Sequence, residues 1–354
     1  MEKLTLRQRL DGDGVLCAEG FLFEVERRGY MASGAFVPEV ALDNPQALTS
    51  LHRDFQHAGS DVVQAFTYNG HREKMRVLGK EDLLEPLNRA ALRIAREVAD
   101  SPPSGMPDLL AGNVSNTNLW HPSDKSAQAE VRAMFDEMVG WAAEEKADIV
   151  VGETFYYAGE AYCALEAIQA AGLPAVVTIS PMHGAKMRDD VSIIDTCKEL
   201  AARGADVVGM NCFRGPATMM PHIRQIRAAI DDCHIAALPV TFRTTEEHQT
   251  FFNLPDDDPQ CACPSPHGRP FPTALDPLYV NRYEIRAFAE EAWRLGVRYL
   301  GVCCGASPMH IREVAEAMGR TPPASRYRED MQRHFLYGKT ESIRKNIGDL
   351  GAHA

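Results

Sequence analysis

A repeated alternation of short apolar segments with longer amphipathic stretches is the feature that most restricts the fold of this chain. The apolar segments are residues 14–20, 61–68, 108–115, 148–155, 175–181, 207–212, 238–243 and 298–305. Nearly continuous apolar runs such as ADIVVGE and PAVVTIS indicate strands that are buried on both faces, as in a parallel sheet. The stretches with helical spacing are residues 45–58, 84–98, 127–145, 159–171, 191–203, 221–231, 282–295 and 308–318.

Glycine closes several of the helical stretches just before the next strand, at Gly59, Gly172 and Gly204. Glycine there is a common helix C-cap because it adopts a left-handed backbone at little cost. The repeated order of strand, helix and glycine predicts an α/β fold, a (β/α)8 TIM barrel, over residues 1–320. A doubly wound open sheet is the alternative, but no glycine-rich phosphate loop follows the first strand. Residues 321–354 are predicted to form a short C-terminal extension, with helical character near residues 328–337.

The charge balance of the chain bears on its partners. The 354 residues carry a formal net charge of −12, which disfavours nucleic acid and anionic membranes because both need basic patches. The N-terminal residues lack the apolar run of a signal peptide, and no apolar stretch is long enough to predict a membrane span. The nine cysteines are scattered through predicted strands and helices, which suits a reducing compartment. We therefore expect a cytoplasmic protein.

Five of the predicted strands end in polar or sulfur-bearing residues. These residues are Glu19 and Gly20, Thr67 and Tyr68, Glu153 and Thr154, Asn211 and Cys212, and Cys303 and Cys304. In a (β/α)8 barrel, active sites lie at the C-terminal ends of the strands. All five strand ends should therefore face one mouth of the barrel.

Three cysteines at one mouth predict a zinc site made by Cys212, Cys303 and Cys304. Zinc prefers sulfur ligands in tetrahedral geometry, and three protein ligands leave a fourth position open, as in catalytic sites. Adjacent cysteines in a regular strand point to opposite faces, so these two share a metal only where the strand ends, and Gly305 provides the backbone freedom to turn there. A thiol substrate in the open position would lose its proton and become a nucleophile.

Buried cysteine is common, and the remaining cysteines allow simpler interpretations. Four of them fall in predicted strands or helices and are predicted to be core residues, namely Cys17, Cys163, Cys197 and Cys233. Cys261 and Cys263, with His267, have metal-binding residue types but irregular spacing in a Pro-rich segment, residues 256–272, which is predicted to be a long loop. The role of that cysteine pair stays open.

A second interpretation uses the three mouth cysteines without catalysis. In it the barrel is a metal or redox sensor, and Cys303 and Cys304 form a vicinal disulfide. The presence of Glu153 among the strand ends favours an enzyme. One tightly bound zinc that is lost on Cys212→Ala would indicate the enzyme, whereas a metal-free protein with a reversible disulfide would indicate the switch.

The segment at residues 299–312, YLGVCCGASPMHIR, resembles the closing motif of the homocysteine S-methyltransferase family, in which a GGCCG turn precedes a proline and a His-Ile-Arg helix. The GMNC strand end at residues 209–212 resembles the family's other cysteine motif, and ETF at residues 153–155 resembles its glutamate strand. Within the family the chain is most similar to the betaine–homocysteine methyltransferases. The stretches that carry this similarity are residues 21–30, 51–59, 282–299 and 322–325.

The resemblance implies that the three cysteines bind Zn²⁺ and that a methyl group moves from an onium donor to the thiol of homocysteine, giving methionine. It also implies that Glu153 pairs with the homocysteine ammonium and that the backbone near Glu19 and Gly20 helps hold the amino-acid end. S-methylmethionine as the donor, or another thiol as the acceptor, is an alternative. The betaine subgroup assembles into homo-oligomers, so a homo-oligomer is expected.

Departures from the family pattern concentrate in the substrate-binding positions. Ala18-Glu19-Gly20 stands where the family usually has Asp-Gly-Gly, so the contacts to the amino-acid end of homocysteine are expected to differ. Thr154 stands where the betaine enzymes have a tyrosine, Phe36 replaces their tryptophan, and Asn69 falls at their second tyrosine. The glycine betaine cage is therefore not reproduced residue by residue.

The methyl-donor pocket is predicted from the residues at or beside those positions. Aromatic faces attract methylated cations, so we expect Phe36 and Tyr68, together with Thr154, to line it. Arg214 or His183 is the candidate partner for a donor carboxylate. The identity of the donor stays open among glycine betaine, proline betaine, dimethylsulfoniopropionate and S-methylmethionine.

Overall fold

Eight parallel strands form a closed barrel in which every strand pairs with its neighbours in the sequence and β1 pairs with β8. The structure is a computed structural model that describes residues 3–33, 37–256 and 268–350. The strands are β1 Val15–Ala18, β2 Val62–Gln64, β3 Leu109–Ser115, β4 Ile149–Phe155, β5 Ala175–Ile179, β6 Val207–Asn211, β7 His234–Leu238 and β8 Tyr299–Val302. The predicted (β/α)8 barrel is confirmed, and the pairing of β1 with β8 excludes an open sheet.

Helices surround the barrel and fill the connections between strands. Those within the described residues are α1 Leu6–Asp11, α2 Phe21–Arg27, α3 Val40–Asp43, α4 Pro45–Ala58, α5 Arg72–Leu78, α6 Leu84–Ala99, α7 Lys125–Glu144, α8 Ala158–Ala170, α9 Ile193–Ala202, α10 Pro216–Ala229, α11 Arg282–Arg294, α12 Pro308–Ala317 and α13 Glu341–Ile347. The end of α4 shows how local sequence fixes a boundary, because Gly59 adopts a φ of 113° and caps the helix. None of the described helices is long and apolar enough to span a membrane.

The strands bury both faces, which accounts for their continuous apolar character. Alternate strand residues such as Val15 and Cys17 fill the barrel interior, where Leu6 and Leu10 of α1 pack against them. The opposite faces, represented by Leu16, pack against the surrounding helices in a separate cluster. Helix α1 therefore closes the end of the barrel opposite the mouth. The four cysteines predicted to be core residues are all buried and free.

The position predicted for strand seven, residues 238–243, is wrong. The strand β7 ends at Leu238, where Pro239 follows and supplies no N–H for a sheet ladder. The residues after it support the cysteine turn instead, since the Cys303 N–H donates to the Pro239 carbonyl at 2.8 Å and the Thr241 N–H donates to the Cys304 carbonyl at 3.1 Å. An unbroken apolar run therefore contains both a strand and the loop that supports the mouth.

The C-terminal extension differs from its prediction. Helical structure near residues 328–337 is limited to a 3₁₀ turn at Met331–Arg333, and the helix of this region is α13. The barrel's last helix, α12, ends at Ala317, and Arg320 then donates to the carbonyl of Gly14 at 2.7 Å, which fastens the chain to the barrel. The domain boundary at residue 320 stays a prediction.

Candidate active site

Three cysteine sulfur atoms meet at the C-terminal mouth of the barrel. The Sγ atoms of Cys212, Cys303 and Cys304 all lie within 4.8 Å of one another, and those of Cys212 and Cys304 are 3.5 Å apart. Around a tetrahedral ion with bonds of about 2.3 Å, sulfur ligands lie roughly 3.8 Å apart. The spacing and the burial of these thiols therefore fit a zinc ion with three protein ligands.

The backbone at the strand ends turns sharply to bring these sulfur atoms together. Cys212 and Phe213 follow β6 with positive φ angles of 53° and 54°, which are uncommon for residues other than glycine. Gly305 follows the paired cysteines with a φ of 84°, and a Cβ there would lie 2.3 Å from Oγ1 of Thr241. Strained backbone of this kind costs free energy and persists where a site requires it.

The ionisation of the three thiols is unequal in the absence of a cation. Although burial opposes ionisation, hydrogen bonds from the Cys303 and Cys304 thiols hold the pKa of Cys212 well below its usual range. Burial and the interaction with Cys212 raise the pKa of Cys303, and the interaction with Cys212 raises that of Cys304. A divalent cation held by Cys212, Cys303 and Cys304 would allow all three thiols to ionise, because coordinating thiols are deprotonated.

Glu153, at the end of β4, is held by neutral donors on both carboxylate oxygens. Oε1 accepts from Gln64 Nε2 at 2.8 Å and from Asn113 Nδ2 at 2.7 Å. Oε2 accepts from Asn211 Nδ2 at 2.8 Å and from Thr154 Oγ1 at 3.4 Å. Burial, followed by the Cys212 charge, raises the pKa of Glu153 to about 7. The carboxylate is thus fixed in position, and no lysine or arginine is among these partners.

Glu19, after β1, places a second carboxylate beside the first. Its Oε2 accepts from Asn211 Nδ2 at 3.2 Å, while Oε1 is buried and has no hydrogen-bond partner among the described residues. Oxygen atoms of Glu19 and Glu153 and the sulfur of Cys303 lie within 4.8 Å of one another. Burial and the charge of Glu153 raise the pKa of Glu19 well above its usual range. A cationic group in this space would satisfy the free oxygen.

Gly20 lets the turn after β1 pack directly against the cysteine turn. Its φ is 90°, and a Cβ at this position would lie 2.3 Å from the carbonyl oxygen of Cys303. A larger residue would displace either Cys303 or the Glu19 side chain. Glycine at this position is therefore required for the Glu19 turn and the cysteine turn to keep their positions.

Asn211 joins these groups, although its place in the sequence predicted no role for it beyond ending the sixth strand. Its Nδ2 donates to Glu19, to Glu153 and, at 2.9 Å, to Thr154 Oγ1. Its Oδ1 accepts from the backbone N–H of Thr154 at 2.9 Å and from Thr178 Oγ1 at 2.9 Å. The available signal was an amide side chain at the end of an otherwise apolar strand, next to a cysteine.

A cavity of about 260 Å³ opens above the cysteines. Its wall is largely apolar, and the aromatic residues in it are Phe21, Phe23, Phe66, Tyr68, Phe213, Phe251, Phe252 and Phe271. The rings of Phe252 and Phe271 meet edge to face at 4.7 Å. Phe251, Phe252 and Phe271 were not predicted as site residues because they come from the irregular connection between β7 and β8, although an adjacent Phe pair in a polar segment was a possible signal.

The residues predicted for the donor pocket are only partly described. Tyr68 lines the cavity, and its hydroxyl accepts from Asn116 Nδ2 at 3.2 Å. Thr154 also lines it, at an irregularity of β4 where its φ is 62°. Phe36 lies outside the described residues, as do Cys261, Cys263 and His267.

The basic residues proposed for a donor carboxylate do not reach the cavity. The Arg214 guanidinium donates instead to the carbonyls of Pro181, at 3.3 Å, and Gly184, at 2.7 Å. His183 is exposed and is not among the cavity residues. Neither side chain lines the cavity, and Arg214 is held by backbone carbonyls of the loop after β5, so a role for either residue in binding a donor carboxylate stays a prediction without support from the described cavity.

Comparison with known proteins identifies the family. The homocysteine S-methyltransferase model matches residues 19–318. Betaine–homocysteine S-methyltransferase 1 of Danio rerio is 33% identical, over 96% of this chain and 79% of the relative. S-methylmethionine–homocysteine S-methyltransferase BHMT2 of Rattus norvegicus is 31% identical, over 95% of this chain and 86% of the relative.

A solved structure supports the fold. The metallated form of the homocysteine methyltransferase MmuM from Escherichia coli superposes with a TM-score of 0.68 at 17% identity, over 88% of this chain and 99% of the other. The resemblance predicted from the cysteine and glutamate motifs is confirmed by these matches. This chain belongs to the homocysteine S-methyltransferase family.

Proposed function

We propose that this enzyme transfers a methyl group from an onium donor to the thiol of homocysteine, with zinc as its metal, and releases methionine. The observation that carries the proposal is the meeting of three cysteine sulfur atoms within 4.8 Å at the floor of an aromatic cavity, beside two buried carboxylates. The names of the relatives support homocysteine as the acceptor. Cys212, Cys303 and Cys304 are the proposed ligands.

The proposed reaction requires an activated thiol, a bound acceptor and a bound donor, and different residues supply each of these. When bound, zinc supplies a Lewis acid that favours the thiolate form of a coordinating thiol at neutral pH. Glu153 and Glu19 face the amino-acid end of the acceptor, and the aromatic wall holds the donor. Alignment of sulfur, methyl carbon and leaving atom then lowers the barrier, because the reactants no longer have to find one another.

The donor panel is the direct test of this function. Protein with one equivalent of zinc is incubated with homocysteine and with glycine betaine, dimethylsulfoniopropionate or S-methylmethionine, and methionine is measured. We expect turnover with at least one donor, its loss on chelation and its recovery with added zinc. The absence of methionine with every quaternary ammonium and sulfonium donor in metal-loaded protein would contradict the proposal.

A metal or redox sensor without catalysis is the less favoured alternative, because family membership and the carboxylate pair both point to an enzyme. The donor panel and metal analysis separate the two. A metal-free protein in which Cys303 and Cys304 interconvert between dithiol and disulfide, with no methionine formed, would favour the sensor.

Glu19→Gln is expected to weaken binding of the acceptor. The carboxylate of Glu153 already accepts from Gln64, Asn113 and Asn211, so the free oxygen available to an ammonium group belongs to Glu19. Loss of a charged hydrogen bond of about 1.5–3 kcal/mol should raise KM for homocysteine by roughly 10–100-fold, with a smaller effect on kcat.

A thiol without the amino group makes that prediction specific. For 4-mercaptobutyrate, Glu19→Gln should change kcat/KM much less than it does for homocysteine. The exposed Glu97, paired with Arg53 at 3.5 Å, provides the matched control in Glu97→Gln. Equal losses for both thiols would show that Glu19 supports the site without contacting the ammonium.

We propose a homo-oligomer, since the tail exposes several large apolar side chains. These are Tyr327, Met331, Phe335, Tyr337 and Leu350. Light scattering should give at least twice the mass of one chain, and a mass equal to one chain at micromolar concentration would contradict this.

We also propose a reducing, cytoplasmic location, because the thiols at the mouth must stay reduced to bind metal.

A further inference from the structure

A second cavity, of about 380 Å³, lies at the end of the barrel opposite the cysteines. It is bounded by α4, by the residues that precede β2 and β3, and by residues 320–323, which follow α12. It shares no lining residue with the cavity above the cysteines. Small-molecule sites have volumes of roughly 300–1,000 Å³. The second cavity is therefore large enough for a small organic ligand and is separate from the proposed active site.

Asp108, which precedes β3, supplies this cavity with a buried carboxylate that is only partly satisfied. The residue is 5% exposed, and its Oδ2 accepts from Gln56 Nε2 at 2.6 Å. Its Oδ1 accepts from no group within the described residues. Burial raises the pKa of Asp108 to about 7. A buried carboxylate without a cationic partner is costly, so packing alone does not account for it.

Gln56, on α4, places a second unpartnered acceptor beside that carboxylate. Its Nε2 donates to the carbonyl of Val98 at 2.9 Å as well as to Asp108. Exchanging the amide oxygen and nitrogen would set the oxygen against the Val98 carbonyl, so the orientation of the amide is fixed. Its Oε1 is buried and has no partner in the described part of the chain. Two adjacent groups that line the cavity thus lack a hydrogen-bond donor.

Two arginines near the cavity are engaged with another carboxylate. Arg9 donates to Asp61 Oδ1 at 3.1 Å, and Arg320 donates to Asp61 Oδ2 at 2.5 Å. Arg320 also donates to the carbonyl of Gly14 at 2.7 Å, which directs its guanidinium toward the start of β1. Asp61 therefore takes both arginines, and Asp108 is left for a cation from outside the chain.

We propose that this cavity binds a small organic cation with N–H donors, a primary ammonium or a guanidinium compound, at Asp108 and Gln56. A cationic nitrogen group with several hydrogens can donate to both unpartnered oxygens and balance the carboxylate charge. A quaternary ammonium ion has no N–H to donate, and an anion would face the Asp108 carboxylate. The rings of Pro102, Pro103 and Pro322 offer apolar contact to the carbon part of the ligand.

The test compares cations that share a butyl chain and differ at nitrogen. Butylammonium and butylguanidinium carry N–H donors, whereas butyltrimethylammonium has the same charge and none. Isothermal titration calorimetry measures their binding to the full chain with one equivalent of zinc at pH 8, where the Asp108 carboxyl is largely ionised. Binding of either N–H cation at millimolar concentration is expected, and the tighter of the two identifies the preferred nitrogen group.

Asp108→Asn should weaken the binding of the N–H cation by about tenfold or more, because a neutral amide replaces the charged acceptor. The variant keeps an oxygen for Gln56 and loses a buried charge, so it should fold. Any binding of butyltrimethylammonium belongs elsewhere and should change less than about twofold. Glu97→Gln is the matched control, because Glu97 is exposed and pairs with Arg53 between α4 and α6.

A second variant keeps the test decisive if Asp108→Asn does not fold. Gln56→Leu removes the other unpartnered oxygen and should also weaken the N–H cation, by a smaller factor. Glu19→Gln, at the cysteine mouth, should leave that binding unchanged.

The inference is overturned if neither N–H cation binds at millimolar concentration, or if Asp108→Asn with an intact circular dichroism spectrum binds both as tightly as the unmodified chain does. It is also overturned if Glu19→Gln abolishes the binding, which would place the cation at the cysteine mouth. None of these measurements involves methyl transfer, so the proposed function and this site fail or stand independently.

Discussion

Cys212→Ala is expected to lose its metal and its methyl-transfer activity together. The three sulfur atoms lie within 4.8 Å of one another, so removing one leaves two ligands from the turn after β8. Loss of groups that merely orient a ligand costs about 10–100-fold in metal affinity, so loss of a ligand should cost more than about 100-fold. Zinc content after dialysis against a weak chelator and methionine formation measure the two effects.

A matched cysteine substitution controls for damage to the barrel. Cys163 lies on α8, is buried and free, and is not among the cavity residues. Cys163→Ala should therefore keep zinc and activity while losing some stability to the cavity it leaves. Cobalt substitution adds a readout that does not depend on activity, because thiolate-to-cobalt absorption should weaken in Cys212→Ala alone. One equivalent of tightly held zinc in Cys212→Ala would exclude Cys212 as a ligand.

Asn211→Asp is the second substitution for which we expect a large effect. The side chain keeps its size, but a carboxylate oxygen replaces the Nδ2 that donates to Glu19 at 3.2 Å and to Glu153 at 2.8 Å. A third buried carboxylate would then face the other two without a donor between them. We expect the free energy of unfolding to fall by about 3 kcal/mol or more and activity to fall with it.

The pH dependence of that loss follows from the raised carboxyl pKa values. The pKa of Glu153 is raised to about 7, so its neutral form is favoured in the folded protein below that pH. Such a group contributes stability at low pH that is lost as pH rises through 7, and a further carboxylate adds to the loss. In urea unfolding of the metal-free protein, the loss of unfolding free energy caused by Asn211→Asp should therefore be larger at pH 8 than at pH 6.

A conservative change elsewhere separates this effect from a general intolerance of Asn-to-Asp substitution. Asn281 caps α11 with its side-chain oxygen, and aspartate serves equally well at that position. Asn281→Asp should leave stability and activity nearly unchanged. An Asn211→Asp protein as stable as this control at both pH values would mean that Asn211 does not hold the two carboxylates apart.

The parts of the fold that could be predicted are those whose sequence patterns lie within short segments of the chain. Continuous apolar strands and glycine-terminated helices have a short period, and their repetition was enough to predict the closed barrel. The extent of β7 was wrong because the apolar run continues past Pro239 into a loop that is buried for a tertiary reason, namely support of the paired cysteines. Hydrophobicity reports burial but does not distinguish a strand from a buried loop.

The sequence by itself determined the barrel, the mouth at which its polar strand ends meet, and the cysteine and glutamate motifs that identify the family. Only the tertiary structure decided that Glu19 keeps a buried oxygen free, that Asn211 joins the two carboxylates, and that Arg214 turns away from the cavity. It also brought Phe252, from the irregular connection between β7 and β8, and Glu26, from α2, to one cavity. Strand ends converge because barrel closure dictates their position, whereas loop side chains have no period in sequence, and their direction is fixed by contacts that form only after the barrel closes.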